Sequence, residues 1–122
     1  MTSPAQGTFL ASAAQTTTQT QAQQANTDGH RGIRVVVDTT VFGTGSVTVK
    51  IEAFDRTSGK WHTLLTGAAI VSVSTNVYTV FPGATVTANV SASAHLGSAW
   101  RIVATANNAN SQTYSIGYEL LP

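Results

Sequence analysis

Catalysis needs titratable groups that converge. The acids available here are Asp28, Asp38, Glu52, Asp55 and Glu119, and the histidines are His30, His62 and His95. Two carboxylates on neighbouring strands would suit general acid–base work. Asp38 and Glu52 are a pair that could face each other on neighbouring strands. The simpler reading makes each acid a solvated strand or turn residue. Three histidines are enough for a zinc site, but these lie in separate segments with no pair at i, i+2 or i, i+4. No Gly-x-Ser-x-Gly elbow, phosphate loop or dinucleotide fingerprint occurs. Asn89-Val90-Ser91 matches the glycosylation triplet, an incidental match in a chain read as not exported. The expectation is a protein without enzymatic activity, cofactor or metal.

A binding face demands less. Trp61, Tyr78, Trp100, Tyr114 and Tyr118 could supply an aromatic platform for carbohydrate. Large aromatics more often fill a core, and Trp100 is assigned there. Trp61, beside the loop Asp55–Lys60, is divided evenly between core and platform.

The elements that must position these groups are announced by composition. Lys, Arg, Asp and Glu number only 11 of 122 residues, or 9%, where a soluble domain typically carries about 25%. Ser, Thr, Asn and Gln number 44, and Val, Ile and Thr together 38, a β-branched bias that favours strands. A net charge of +1 argues against charged disorder, and six scattered cations against binding by phosphate neutralisation. Heptads for a coiled coil are missing. Without cysteine there is neither a disulfide framework nor a thiolate metal site. The longest purely apolar run, Ala68–Val71, is far short of the roughly 18 residues that suggest a membrane span. Phe9–Ala13 is too short, and lacks a preceding basic residue, for a signal peptide. Synthesis in the cytoplasm, without export by such a signal, is expected.

The chain divides near residue 31. Residues 1–31 are rich in Gln, Thr and Ala, and Phe9 and Leu10 are their only large apolar side chains apart from Met1. Fixing a residue's backbone costs about 1–2 kcal/mol, while burying a Phe or Leu returns about 1.5–3 kcal/mol. Two such anchors do not order thirty residues without outside help. Gln19, Gln21 and Gln23 alternate with Thr18, Thr20 and Ala22, the period of a strand. A helix over Leu10–Ala25 is the competing reading, opposed by the run Thr16–Thr18. The segment is therefore disordered alone or paired along its backbone with something else, and the expectation is an extended arm, which could add to a neighbouring chain as a further strand. Phe9, Leu10, Thr18, Gln19, Thr20 and Gln21 are its candidate partner-binding residues. Deleting residues 1–27 is then expected to leave a folded sandwich that no longer binds its partner.

Residues 32–122 carry the pattern of a domain. Strands are expected from Ile33 to Asp38, Val47 to Phe54, Trp61 to Leu65, Ala69 to Val73, Val77 to Phe81, Ala99 to Ala106 and Thr113 to Leu121. A weaker piece covers Val86–Ser93. Gly43-Thr44-Gly45, Asp55–Lys60 and Asn107–Ser111 turn the chain. Trp100, Ile102 and Ala104 should share one face of their strand, and Tyr114, Ile116, Tyr118 and Leu120 one face of the last. The fold expected is all-β: an antiparallel β-sandwich, jelly-roll-like, with an extended N-terminal arm.

Several of these pieces, in order, resemble a group of small structural proteins of tailed bacteriophages infecting Gram-positive bacteria. They are Leu10–Ala14, Arg31–Thr40, Val49–Glu52, Asp55–Trp61, Tyr78–Gly83, Trp100–Val103 and Thr113–Tyr118. Each alone is a strand or turn signature, and the series carries the resemblance. Thr57 stands where such proteins often hold Pro. The resemblance implies a capsid decoration or minor head protein on the outside of the virion, often a homotrimer. Its partners would be the major capsid protein and itself, with no nucleic acid, membrane or catalytic motif. Arg31 and Arg34, flanking the division, become candidates for an acidic capsid surface, against the simpler reading of solvated edge residues. The rivals are a tail or head–tail component, and a carbohydrate-binding or adhesion module that takes surface glycans.

Overall fold

The computed structural model describes residues 5–122 as ten strands with no helix. They are β1 (Ala5–Gln15), β2 (Gln19–Thr20), β3 (Gln24–Ala25), β4 (Gly32–Val41) and β5 (Val47–Asp55). After them come β6 (Lys60–Thr66), β7 (Ser74–Val80), β8 (Ser91–Ala92), β9 (Ala99–Ala106) and β10 (Gln112–Leu121). One sheet runs β1-β10-β4-β7-β8, and the second runs β2-β9-β5-β6 with β3 also on β9. All pairings are antiparallel except the short β7–β8 contact. The chain is an all-β sandwich.

Alternation builds the core. Ile33, Val35 and Val37 of β4, Val47, Val49 and Ile51 of β5, and Trp100, Ile102 and Ala104 of β9 all point inward and are buried. Tyr114 and Ile116 of β10 join them, with Tyr118 and Leu120 partly buried against the same cluster. Trp100 is 1% exposed, and its ring meets Tyr118 edge-on at 4.9 Å, an arrangement the ring quadrupoles favour. The expected faces of the last two strands and the core placement of Trp100 hold.

Residues 5–25 are part of the sandwich. β1 runs antiparallel to β10 from Ala5↔Leu120 to Gln15↔Gln112. Register irregularities between Thr8 and Leu10 and between Leu10 and Ala13 interrupt the alternation. In consequence the consecutive residues Phe9 and Leu10 both pack on the core. The chain then crosses to the other sheet at Thr16–Thr18, where β2 and β3 pair with β9. The outside help that this segment requires comes from the same chain, where an arm reaching a neighbour was expected. The boundary at residue 31 therefore separates no free arm from the body; residues 1–4 of that arm lie outside the described residues.

A second difference concerns residues 69–76. A strand was expected over Ala69–Val73 and the next only from Val77, but β7 begins at Ser74. In the expected strand only Ile70 is buried, held by an isolated bridge to Val47. Val71 and Val73 are each 62% exposed. Their β-branched character satisfied the pattern without a neighbouring strand to pair with.

Candidate interaction site

The sequence-predicted binding residues are largely engaged within the chain. Phe9 and Leu10 pack on the core. The Thr18 hydroxyl accepts a hydrogen bond from the Ala106 amide at 3.1 Å. Gln19 and Thr20 lie opposite Ala104 and Val103. Gln21 is buried and bridges the gap between β2 and β3. Its amide donates to the Ile102 carbonyl at 2.9 Å, and its side-chain Oε1 accepts from the Ile102 amide at 3.0 Å. A side-chain amide thus stands in for the missing backbone partner, so that neither Ile102 group is left buried and unpaired.

The two arginines stay at the surface with partners of their own. Arg31 lies 5.1 Å from the centre of the Phe81 ring and donates to the Pro122 carbonyl. Arg34 pairs with Glu119 at 2.9 Å, an exposed pair worth about 0–1 kcal/mol. Both are on the surface, and neither is a solitary charge waiting for a ligand.

The titratable groups are dispersed. Asp38 accepts from Thr75 Oγ1 at 3.1 Å, while Glu52 pairs with Arg101 at 2.8 Å on the other sheet. The facing pair envisaged from sequence does not form, because β4 and β5 belong to different sheets. His30 is buried, His62 is exposed on β6, and His95 accepts from the Gly97 amide through Nδ1. Among the described residues no three His, Cys, Asp or Glu side chains cluster as a metal would require. The displaced groups have structural causes. Burial raises Tyr78 and Tyr114 above the ordinary phenol range. Hydrogen bonds from the Ser58 hydroxyl and from the Thr57 and Ser58 amides lower Asp55.

Three surface features remain. On the outer face of the second sheet, Trp61 and Phe54 lie at 5.0 Å between ring centres, and the Arg101 guanidinium sits 4.1 Å from the Trp61 ring centre. Trp61 is therefore an outer-face residue, and Arg101 already covers its indole. On the other sheet, Gly117 leaves a depression of about 370 Å³ floored by Val36 and flanked by Gln6, Thr8, Arg34 and Glu119. Its carboxylate is already shared, with Gln6 donating to Glu119 at 3.0 Å and Arg34 opposite.

The third feature is a groove of about 370 Å³ beside β7, lined by Ala69, Val71, Val77, Ala88, Asn89 and Val90 among others. Val71, Val77 and Val90 are exposed, and Val73 and Val86 close by in sequence are exposed too. Asn89 adopts φ 62 and donates from its side chain to the Thr66 carbonyl at 3.0 Å. This bond ties the wall of the groove to the end of β6. Sequence reasoning missed the groove, although a signal was there: no Asp, Glu, Lys or Arg occurs from Trp61 to Trp100.

Comparison with protein-family models, with curated proteins and with solved structures finds no match to this chain.

Proposed function

We propose that this chain is a non-catalytic virion structural protein, a capsid decoration (cementing) protein that binds the outside of a phage head and stabilises the major capsid lattice. The observation that carries the reading is the character of the surface. Its open features are a neutral strand edge on β1 and a valine-lined groove beside β7, while the polar groups described above are dispersed and mutually paired. Such surfaces suit a contact repeated many times through backbone hydrogen bonds and apolar burial. The resemblance of the strand series to phage head proteins points the same way.

The test is to add purified protein to particles that lack it and image them. Density on the outer capsid surface is expected, little changed between low salt and a few hundred millimolar salt, because screening weakens only charge-based adhesion. Density on the tail, or release by that salt, would count against the reading.

One observation favours a second reading. Trp61 lies outside the core beside Phe54, which keeps a glycan-binding module open as the rival. Glycan-array binding abolished by Trp61→Ala, with the thermal melt of the fold retained, would replace the capsid reading.

A further inference from the structure

We propose that copies of this chain associate head to tail, the open edge of β1 in one copy adding to the open edge of β7 in the next. The inference deepens the self-association that the resemblance to phage head proteins implies, and it does not require that the particle be a phage head.

The edge of β7 follows from backbone periodicity. The Thr79 and Phe81 amides donate away from β4, to the carbonyls of Val90 and Ala92. Main-chain groups two residues apart on a strand point the same way. Those of Val77 and Thr75 therefore face the same side, but the β8 partner reaches only Thr79 and Val80. The unpaired stretch runs along the groove walled by Val71, Ala88 and Val90. It is a place for one more strand, with apolar walls for the side chains.

The occupant is indicated by the opposite end of the same sheet. β1 pairs with β10 alone among the described residues, so its second edge is open. Edge strands are commonly protected by Lys, Pro, brevity or bulges. β1 has eleven residues and no charge or proline, and its two irregularities leave the stretch from Ala5 to Thr8 regular. The outer edge strand of the second sheet, β6, carries Lys60 and His62. The charges of the first sheet lie on the central strands, at Arg34, Asp38 and Glu119. Two copies joined edge to edge therefore bring no charge to the junction.

Orientation agrees. β1 is antiparallel to β10, β10 to β4, and β4 to β7, so β1 of a copy repeated in the same sense runs antiparallel to β7. Thr8, Gly117, Val36 and Val77 form one row across the outer face, and the row would continue into the next copy. A heterologous contact of this kind closes into a ring when the rotation between copies allows it. Sheet twist supplies a rotation.

The chain has no cysteine, so single thiols report the contact cleanly. Thr8→Cys and Val77→Cys proteins, one carrying a mass tag, are oxidised separately and as a mixture at equal total concentration. Mixed disulfide dimers in severalfold excess over either homodimer are expected. Predominance of the Thr8→Cys homodimer would mean that β1 pairs with itself and would overturn the proposal, as would predominance of the Val77→Cys homodimer. Sedimentation of the wild-type protein provides the second measurement. A wild type that stays monomeric at every concentration leaves the groove to a foreign strand, and the proposal fails. Val77→Lys, at a side chain 43% exposed, should shift the association to monomer while far-UV circular dichroism is unchanged. A folded Val77→Lys that associates as the wild type does would also overturn it. None of these outcomes depends on particle binding, so failure here and failure of the capsid reading are distinguishable.

Discussion

Residues 5–25 and residues 67–94 share a composition and differ in fate. Both lack Asp, Glu, Lys and Arg, and both are rich in Ala, Ser and Thr. The first stretch is bound to the body through β10 and β9. The second leaves Val71, Val73, Val77, Val86 and Val90 exposed and half of one edge of β7 open. The difference does not lie in hydrophobicity, since the better-bound segment is the less apolar of the two. It lies in neighbours: β10 and β9 each had a free edge for the N-terminal segment, whereas β7 receives only the two residues of β8.

The strongest way to break that comparison is to remove β1. Loss of residues 5–15 withdraws Phe9 and Leu10 from the core, at about 1.5–3 kcal/mol each. It also strips the ladder from β10, at about 0.5–1.5 kcal/mol per hydrogen bond. The sum is comparable with the whole stability of a domain, about 5–15 kcal/mol. The truncated protein should lose its cooperative thermal transition by circular dichroism. This reverses the expectation that the chain without its N-terminal residues stays folded. A truncated protein melting within a few degrees of the full chain would make β1 an appendage after all.

A smaller effect is expected at Gln21. Gln21→Ala leaves the Ile102 amide buried without an acceptor, which costs about 1–3 kcal/mol. Denaturant unfolding should show a lower midpoint with an unchanged slope. An unchanged midpoint would show that the link between β2 and β3 carries no load. Two glycines then sharpen the contrast within one sheet. A methyl at Gly7 collides with the Tyr118 ring, which packs over it. Gly7→Ala should therefore cost about 1–3 kcal/mol through overpacking. A methyl at Gly117 meets nothing closer than the Gly7 carbonyl oxygen at 3.7 Å. Gly117→Ala should leave the melting temperature unchanged or raise it slightly, partly filling the depression. Equal losses in the two variants would contradict the packing of Tyr118 over β1.

The elements with a strict period of two were legible in the sequence. Val35, Ile51, Ile102 and Ile116 announced both their strands and their inward faces, because alternation and burial are the same fact seen twice. The N-terminal segment was recognisable as extended from Gln19 and Gln21, but its partner was not. Backbone hydrogen bonding carries no residue code, and a strand that pairs with a distant part of its own chain looks like one that pairs with another chain. Val71 and Val73 misled for the converse reason: strand propensity describes fitness for a pleated surface and does not guarantee a neighbour. Trp61 was undecidable because its surroundings, Phe54 and Arg101, come from two other strands. The groove beside β7 left only an indirect trace, the long interval without charge.

The smallest effect belongs to a third region, the charged hairpin of the second sheet, and serves as a control on the neutral edges. Asp55, Arg56 and Lys60 gather at the β5–β6 turn. There the Ser58 hydroxyl donates to Asp55 at 2.7 Å, and Gly59, with φ 70, donates its amide to the Asp55 carbonyl at 2.9 Å. The Ser58 hydroxyl and the Thr57 and Ser58 amides donate to the carboxylate itself and lower its pKa in the folded state,. Stabilisation from a lowered acid is present above the unfolded-state pKa and disappears as pH falls through the folded one. The Asp55 carboxyl, followed by NMR, should therefore titrate on the acid side of ordinary aspartate. Asp55→Asn should lose that titration with only a slight change in melting temperature, because the loop is fully exposed to water. Titration at or above the ordinary position would show that the Ser58 and Thr57 hydrogen bonds do not persist in solution. Across the pH interval in which Asp55 titrates, the self-association read by sedimentation should follow the same course in the wild type and in Asp55→Asn while the protein remains folded. Glu119 faces Gln6 of β1 and Asp38 faces Thr75 of β7 in wild type and Asp55→Asn alike, so a shift present in the wild type and absent from Asp55→Asn would place the hairpin in the contact instead of the edges.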